Sequence, residues 1–336
     1  MQGRRKHSAV RHCARHRGTP GPHSTGASVP SATAGDAVAA GIDAGAPTQT
    51  QSTQGTSAQT STAPLDCVVL PSACGYPDQS NTGVPAGTTL TPASGEVVVR
   101  TPGSVVKGLK LAGTIVIEAN DVHVEDSEIT VYGSQHGCSE PCGGAGILVR
   151  PGVSGTVISH DTIAGGAESG ENALEFCIHA ESNETTVTYV YSHGCTLDAG
   201  SGGLIEDNYC LESFEIPGEH YECIYYGGGG GPITIRHNTL LNPHGQTAAI
   251  FLSSDFGNET EDRIEENLLA GGGFVIYGGG SGSAGSVLGP VIVEGNRFSR
   301  LYYPEGGYYG IAAYFNWAVT TWSGNVWDES LALVPE

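Results

Sequence analysis

The stretch GEHYECIYY places Glu219, His220 and Glu222 within four residues of one another. A carboxylate beside an imidazole suits general acid–base work, in which a proton is moved to or from a reacting group. Tyr225, in the same stretch, is a further proton carrier. Glu175 and His179 stand in a comparable setting in ALEFCIHA. Carboxylates that converge also make hard oxygen ligands of the kind Ca²⁺ takes, and Glu219, Glu222 and Asp255 are the candidate set. The catalytic candidates are therefore Glu222, His220, Tyr225 and Glu175, with His179 and Arg236 as substrate contacts. Between Leu301 and Trp327 lie nine of the chain's 24 aromatic residues. Tyr302, Tyr303 and Tyr308 there offer flat apolar faces to a sugar ring. The same run also fits the cap that closes the open end of a stacked fold. Both readings stay open.

These residues need a scaffold that brings distant parts of the chain together, and the sequence repeats. Asn238, Asn267, Asn296 and Asn325 recur every 29 residues, and Asn208 stands 30 before the first. Ser192, Asp161, Ser127 and Leu109 are expected to fill the same slot upstream. A fixed period of this size is the signature of a solenoid. The unit V-x-I-x-x-N-x-[ILF] alternates with period two on both sides of the asparagine, as strands do. Asn tolerates the left-handed backbone of a tight corner, and amides stacked coil upon coil can bond in a row. Cys177-Ile178 and Cys223-Ile224 align as the start of a further strand in each coil.

The repeat resembles the right-handed parallel β-helix of the pectate lyase-like superfamily, in particular its secreted bacterial β-helix repeat proteins. That resemblance implies an all-β solenoid of about nine coils, roughly 40 Å long at the ~4.8 Å spacing of paired strands. It also implies a groove along one strand of each coil. GEHYECIYY sits where polygalacturonase-like hydrolases carry NTDGxD, with Glu222 in the place of the first Asp. The sequence departs from that motif at Tyr225, and it has no adjacent Asp-Asp pair and no Arg-x-Lys. The superfamily hosts lyases, hydrolases, epimerases and adhesins, so fold alone does not choose among them. β-Elimination by a polysaccharide lyase, with Ca²⁺ against the uronate carboxylate, is the first expectation. A glycoside hydrolase with paired carboxylates such as Glu175 and Glu222, and a non-catalytic glycan-binding or cell-surface protein, are the alternatives. The expected partner is a polysaccharide, met by a monomer.

Composition divides the chain into residues 1–64 and 65–336. Residues 1–17 hold six of the 14 Lys and Arg, and the Ser/Thr/Gln-rich stretch to residue 64 has no apolar period with which to build a core. From residue 65 there are eight basic residues against 33 acidic ones. Such a domain repels nucleic acid and anionic membrane surfaces, and no segment is apolar enough to insert into a bilayer. Eight cysteines in this part read as disulfides of an oxidising compartment, with Cys210 alternatively a free core thiol. The expected location is outside the cell or in its wall, although the start of the chain carries no recognisable export signal.

Overall fold

The structure is a computed structural model that describes residues 66–131, 145–165, 176–211, 222–254, 256–257, 261–280 and 289–336. Short strands alternate with tight corners, and the strands pair in parallel with those one coil away. The result is an all-β parallel β-helix with three faces. The first face holds β2 (Val105–Lys107), β4 (His123–Glu125), β7 (Val157–Ser159), β10 (Thr186–Thr188), β13 (Leu204–Glu206), β16 (Thr234–Arg236), β19 (Asp262–Glu265), β22 (Val291–Glu294) and β25 (Thr321–Ser323). The second holds β5 (Glu128–Val131), β8 (Thr162–Gly165), β11 (Tyr191–His193), β14 (Tyr209–Leu211), β17 (Thr239–Asn242), β20 (Leu268–Gly271), β23 (Arg297–Ser299) and β26 (Val326–Trp327). The third holds β6 (Ala145–Val149), β9 (Phe176–Ala180), β12 (Thr196–Asp198), β15 (Glu222–Tyr226), β18 (Ala248–Ser253), β21 (Phe274–Gly279) and β24 (Gly310–Ala313). The long strands β1 (Thr91–Val99) and β3 (Leu109–Ile117) open the helix, and β3 pairs with both β5 and β6.

Period-two alternation explains the core. On the third face Ile147, Ile178, Leu197, Ile224, Ile250 and Ile276 fall in register and are fully buried. Ile158, Val187, Ile205, Ile235, Ile264 and Val293 do the same on the first. Burying each such side chain contributes about 1.5–3 kcal/mol. The stacked rows fill the interior from end to end.

The corner between the first and second faces differs from expectation in two ways. The left-handed residue is the one before the slot: Asp207, His237 and Glu266 have φ of 58°, 52° and 55°, and Gly295 and Gly324 take over further on. The asparagines instead bond to the neighbouring coil. Asn208 Nδ2 donates to Asn238 Oδ1 at 2.9 Å, and Asn238, Asn267 and Asn296 repeat the contact to Asn267, Asn296 and Asn325. Their acceptor oxygens also take the backbone N–H of the preceding Asn. The second difference is register. Tyr189 is the left-handed residue of its coil, and Val190 N donates to Asn208 Oδ1 at 2.8 Å. Val190 therefore occupies the slot. Ser192 pairs with Cys210, two positions further along the second face.

Residues 66–90 run lengthwise back along the helix before β1 begins. Val68 N donates to the buried Asp328 at 2.9 Å, beside the last strand, and Asp328 also pairs with Arg297. Further on, Tyr76 stacks on His237 at 5.2 Å, Gly83 N bonds Tyr189 O, and Val84 N bonds Thr162 Oγ1. This strap buries Leu241, Leu268 and Ala270 on the outside of the second face, with Cys67 and Val68. At the end where the strap begins, residues 328–334 fold back so that Val334 N bonds Asn325 O and Trp322 Nε1 donates to Val334 O. No described helix is long and apolar enough to cross a membrane.

Candidate functional site

The outer surfaces of the three faces are chemically distinct. The first carries cross-coil ion pairs, Lys107 with Glu125 and Arg236 with Glu206 among them. The second lies under the strap. The third presents side chains that follow the buried Ile or Leu of each coil: His179 and Asp198 in register, then Tyr225, Phe251 and Tyr277 in register, the two sets joined where Leu197 pairs with Ile224. Because Ile178, Leu197, Ile224, Ile250 and Ile276 point inward, these residues point out.

A local irregularity adds a second outward column. Cys177 and Ile178 both enter the core, and the register shifts between Thr196 and Leu197 opposite them. The extra residue is a β-bulge, which re-aims the side chain before it. Phe176 thus lies on the same side as His179, ring centroids 4.5 Å apart and stacked. Cys223 and Ile224 repeat the pattern, which sets Glu222 beside Tyr225 on the outer surface. Thr196 Oγ1 donates to Glu222 O at 2.8 Å and links the two coils.

Two disulfides stand directly behind this surface. Cys177–Cys195 joins neighbouring coils, and Cys210–Cys223 crosses from the second face to the third; a third, Cys67–Cys74, closes a loop in the strap. Cys210 is therefore paired. Cys138 and Cys142 lie outside the described residues. The first two bridges hold the backbone of His179, Asp198 and Glu222, each within three residues of a bridged cysteine.

His179 Nδ1 and Asp198 Oδ2 are 3.0 Å apart, and Asp198 Oδ1 accepts the Gly200 N–H at 2.8 Å. Asp198 is buried. With its carboxylate accepting the Nδ1 proton, a neutral imidazole carries its lone pair on Nε2, the arrangement of an oriented general base. Glu222, 8% exposed, lies on the next strand as a diagonal neighbour of Asp198. From this pair a line of rings leads across the coils. Phe176 meets Tyr225 at 6.2 Å, Tyr225 meets Phe251 at 5.8 Å, and Phe251 meets Tyr277 at 5.3 Å. Tyr277 stacks on Tyr314 at 5.3 Å and touches Phe274, which leads to Tyr309. Burial pushes the Tyr277 hydroxyl above the usual phenol range.

The structure thus brings Glu222, Tyr225 and His179 to one surface. Arg236 stands on the first face with Glu206, away from them. Tyr302 packs against the cluster of strap and second-face residues that includes Leu241 and Leu268, and burial raises its pKa. Tyr303 donates to Pro243 O at 2.8 Å and contacts Tyr308, which is exposed and joins Tyr309 at the end of the ring line. Glu175, Glu219, His220 and Asp255 lie outside the described residues. Of the proposed Ca²⁺ ligands only Glu222 is described, and the described residues contain no group of three His, Cys, Asp or Glu placed to hold a metal. Sequence reasoning missed Asp198, Phe251 and Tyr277. The signal was available in the residue after each inward Ile or Leu, as in CIHA, TLDA, CIYY, AIFL and VIYG.

No protein-family profile and no curated protein sequence matches the chain. Among solved structures it is similar to a double mutant of the periplasmic alginate epimerase AlgG, at 12% identity over 70% of this chain and 76% of that one, with a TM-score of 0.31.

Proposed function

We propose that this protein is an exported carbohydrate-active enzyme that lays a polysaccharide along the third face and cleaves it beside His179, Asp198 and Glu222. The observation that carries the reading is the unbroken line of rings from Phe176 to Tyr314, which ends at an oriented imidazole. Pyranose rings present apolar C–H faces that pack on aromatic surfaces, and the third-face strands from β15 to β21 offer one ring each, Tyr225, Phe251 and Tyr277. The disulfides support export, because such bonds persist in oxidising compartments.

Two reactions fit the groups at hand. In β-elimination, His179 Nε2 takes the proton beside a uronyl carboxyl. That electron pair becomes the ring double bond, and the glycosidic C–O bond breaks with protonation of the leaving oxygen. The His179–Asp198 pair favours this route. In hydrolysis, one carboxyl protonates the leaving oxygen while the other serves as base or nucleophile, and the neighbouring Asp198 and Glu222 favour that. A panel of soluble glycans separates them, because both reactions create new reducing ends but only elimination creates the ultraviolet-absorbing unsaturated uronate. His179→Ala and Asp198→Asn should each lower kcat about 10²–10⁴-fold with the melting transition retained. Binding without cleavage by the wild type would make the third face a glycan-binding surface only. Full activity of both variants would remove the pair from the reaction.

A further inference from the structure

Every Lys and Arg in residues 66–336 is already committed to a carboxylate of the protein itself. Arg100 pairs with Glu118, Lys107 with Glu125 and Asp126, Lys110 with Glu128, and Arg150 with Glu181. Arg236 pairs with Glu206, Arg263 with Glu265, Arg297 with Asp328, and Arg300 with Glu329. These eight are the full basic complement of that region. None lies on β9, β12, β15, β18, β21 or β24. Within 66–336, the segments outside the described residues add no Lys or Arg. No Lys or Arg occurs from 151 to 235, from 237 to 262 or from 264 to 296, whereas acids are frequent there.

Resting on the reading of the third face as a glycan groove, we infer that the glycan it accepts carries no free carboxylate. A polyuronide laid along Tyr225, Phe251 and Tyr277 would bring a negative charge to nearly every sugar. Each would lose hydration against aromatic rings and meet no Lys or Arg of the third-face strands in return. Asp198 and Glu222 on the same surface would add like-charge repulsion, and the acidic domain would slow the encounter. An uncharged pyranose chain meets none of these penalties and keeps the apolar contact with the rings. The shared chemistry is an uncharged chain, supplied either by neutral sugars or by uronates whose carboxyls are esterified.

The test is affinity electrophoresis of the full chain in gels containing polygalacturonate, fully methyl-esterified polygalacturonate, soluble β-glucan or galactomannan, each with EDTA and with added CaCl₂. We expect retardation by at least one uncharged glycan and at least about tenfold weaker retardation by polygalacturonate in both conditions. The binding should hold as NaCl is raised, since no ion pair is screened. Retardation by the ester alone identifies an esterified uronate, and by glucan or galactomannan a neutral sugar. Tyr277→Ala and the more exposed Tyr314→Ala, checked for an unchanged melt, should each weaken binding about tenfold. Polygalacturonate binding as tightly as the uncharged chains, with or without calcium, overturns the inference. If that binding still depends on Tyr277 and Tyr314, the groove itself stands. Binding of any glycan untouched by both variants, or no retardation by any glycan, overturns the groove reading and the inference with it.

Discussion

Asp161 fills the slot that downstream coils give to asparagine. Its Oδ1 accepts the Ser127 N–H at 2.7 Å, and its buried Oδ2 has no hydrogen-bond partner. Complete burial, with Asp126 and Glu125 adding repulsion, pushes its carboxyl well above the usual range. A carboxyl whose pKa is raised by folding is stabilising while protonated, and that stability is lost as pH rises from the unfolded value toward the folded one. Asp161→Asn should therefore raise Tm at neutral pH and change it little below about pH 4. Thermal melts across pH would show it, and a difference independent of pH would refute it. The converse substitution, Asn267→Leu, removes donors and acceptors that serve Asn238, Ile235 and Asn296. Each buried group left unpaired costs about 1–3 kcal/mol, so the urea midpoint should fall sharply.

Among the elements, the strap and the staples act on different faces. Truncation to Asp66 should leave Tm unchanged, because the Ser/Thr/Gln-rich stretch lacks apolar residues for a core. Truncation to Pro85 strips the cover from Leu241, Leu268 and Ala270, and it leaves Asp328 without the Val68 N–H. That variant should melt lower and bind a hydrophobic dye, and an unchanged melt would show the strap to be passive. These elements also divide what the sequence makes readable from what it hides. The 29-residue recurrence of asparagine reveals strands and corners directly, because one hydrogen-bonding requirement recurs in each coil. The register fails at Ser192 because the coil from Val190 to Asn208 is only 18 residues long, so a spacing learned downstream does not carry through it. The strap has no period and is recognisable only by what it packs against. Glu222 and Tyr225 stand out as a local cluster. Asp198 does not, since its partner His179 is 19 residues away and meets it only once coil length is known.

At the scale of the whole molecule, charge is the unbalanced quantity. Eight basic side chains face 33 acidic ones in the domain, so even with every cation paired most carboxylates have no basic residue to answer them. Exposed ion pairs contribute only about 0–1 kcal/mol each, while repulsion among the remaining carboxylates is spread over the whole surface. In a solenoid the repulsion has a particular geometry. Like residues stack one strand spacing apart, and Glu265 lies in register with Glu294 on the first face. Salt screens both effects, but over distances beyond about 8–10 Å at physiological ionic strength it removes mainly the long-range repulsion. Net screening should therefore stabilise this fold, and Tm should climb with NaCl before any plateau. Glu265→Gln relieves the stacked repulsion but also removes the partner of Arg263, so the cleaner probe is Glu294→Gln. That substitution should raise Tm at low and physiological salt and lose its advantage toward about 1 M NaCl, where the screening length falls to about 3 Å, below the strand spacing. A Tm that falls as NaCl is added would mean that the ion pairs outweigh the repulsion and that the acidic surface is not a stability burden.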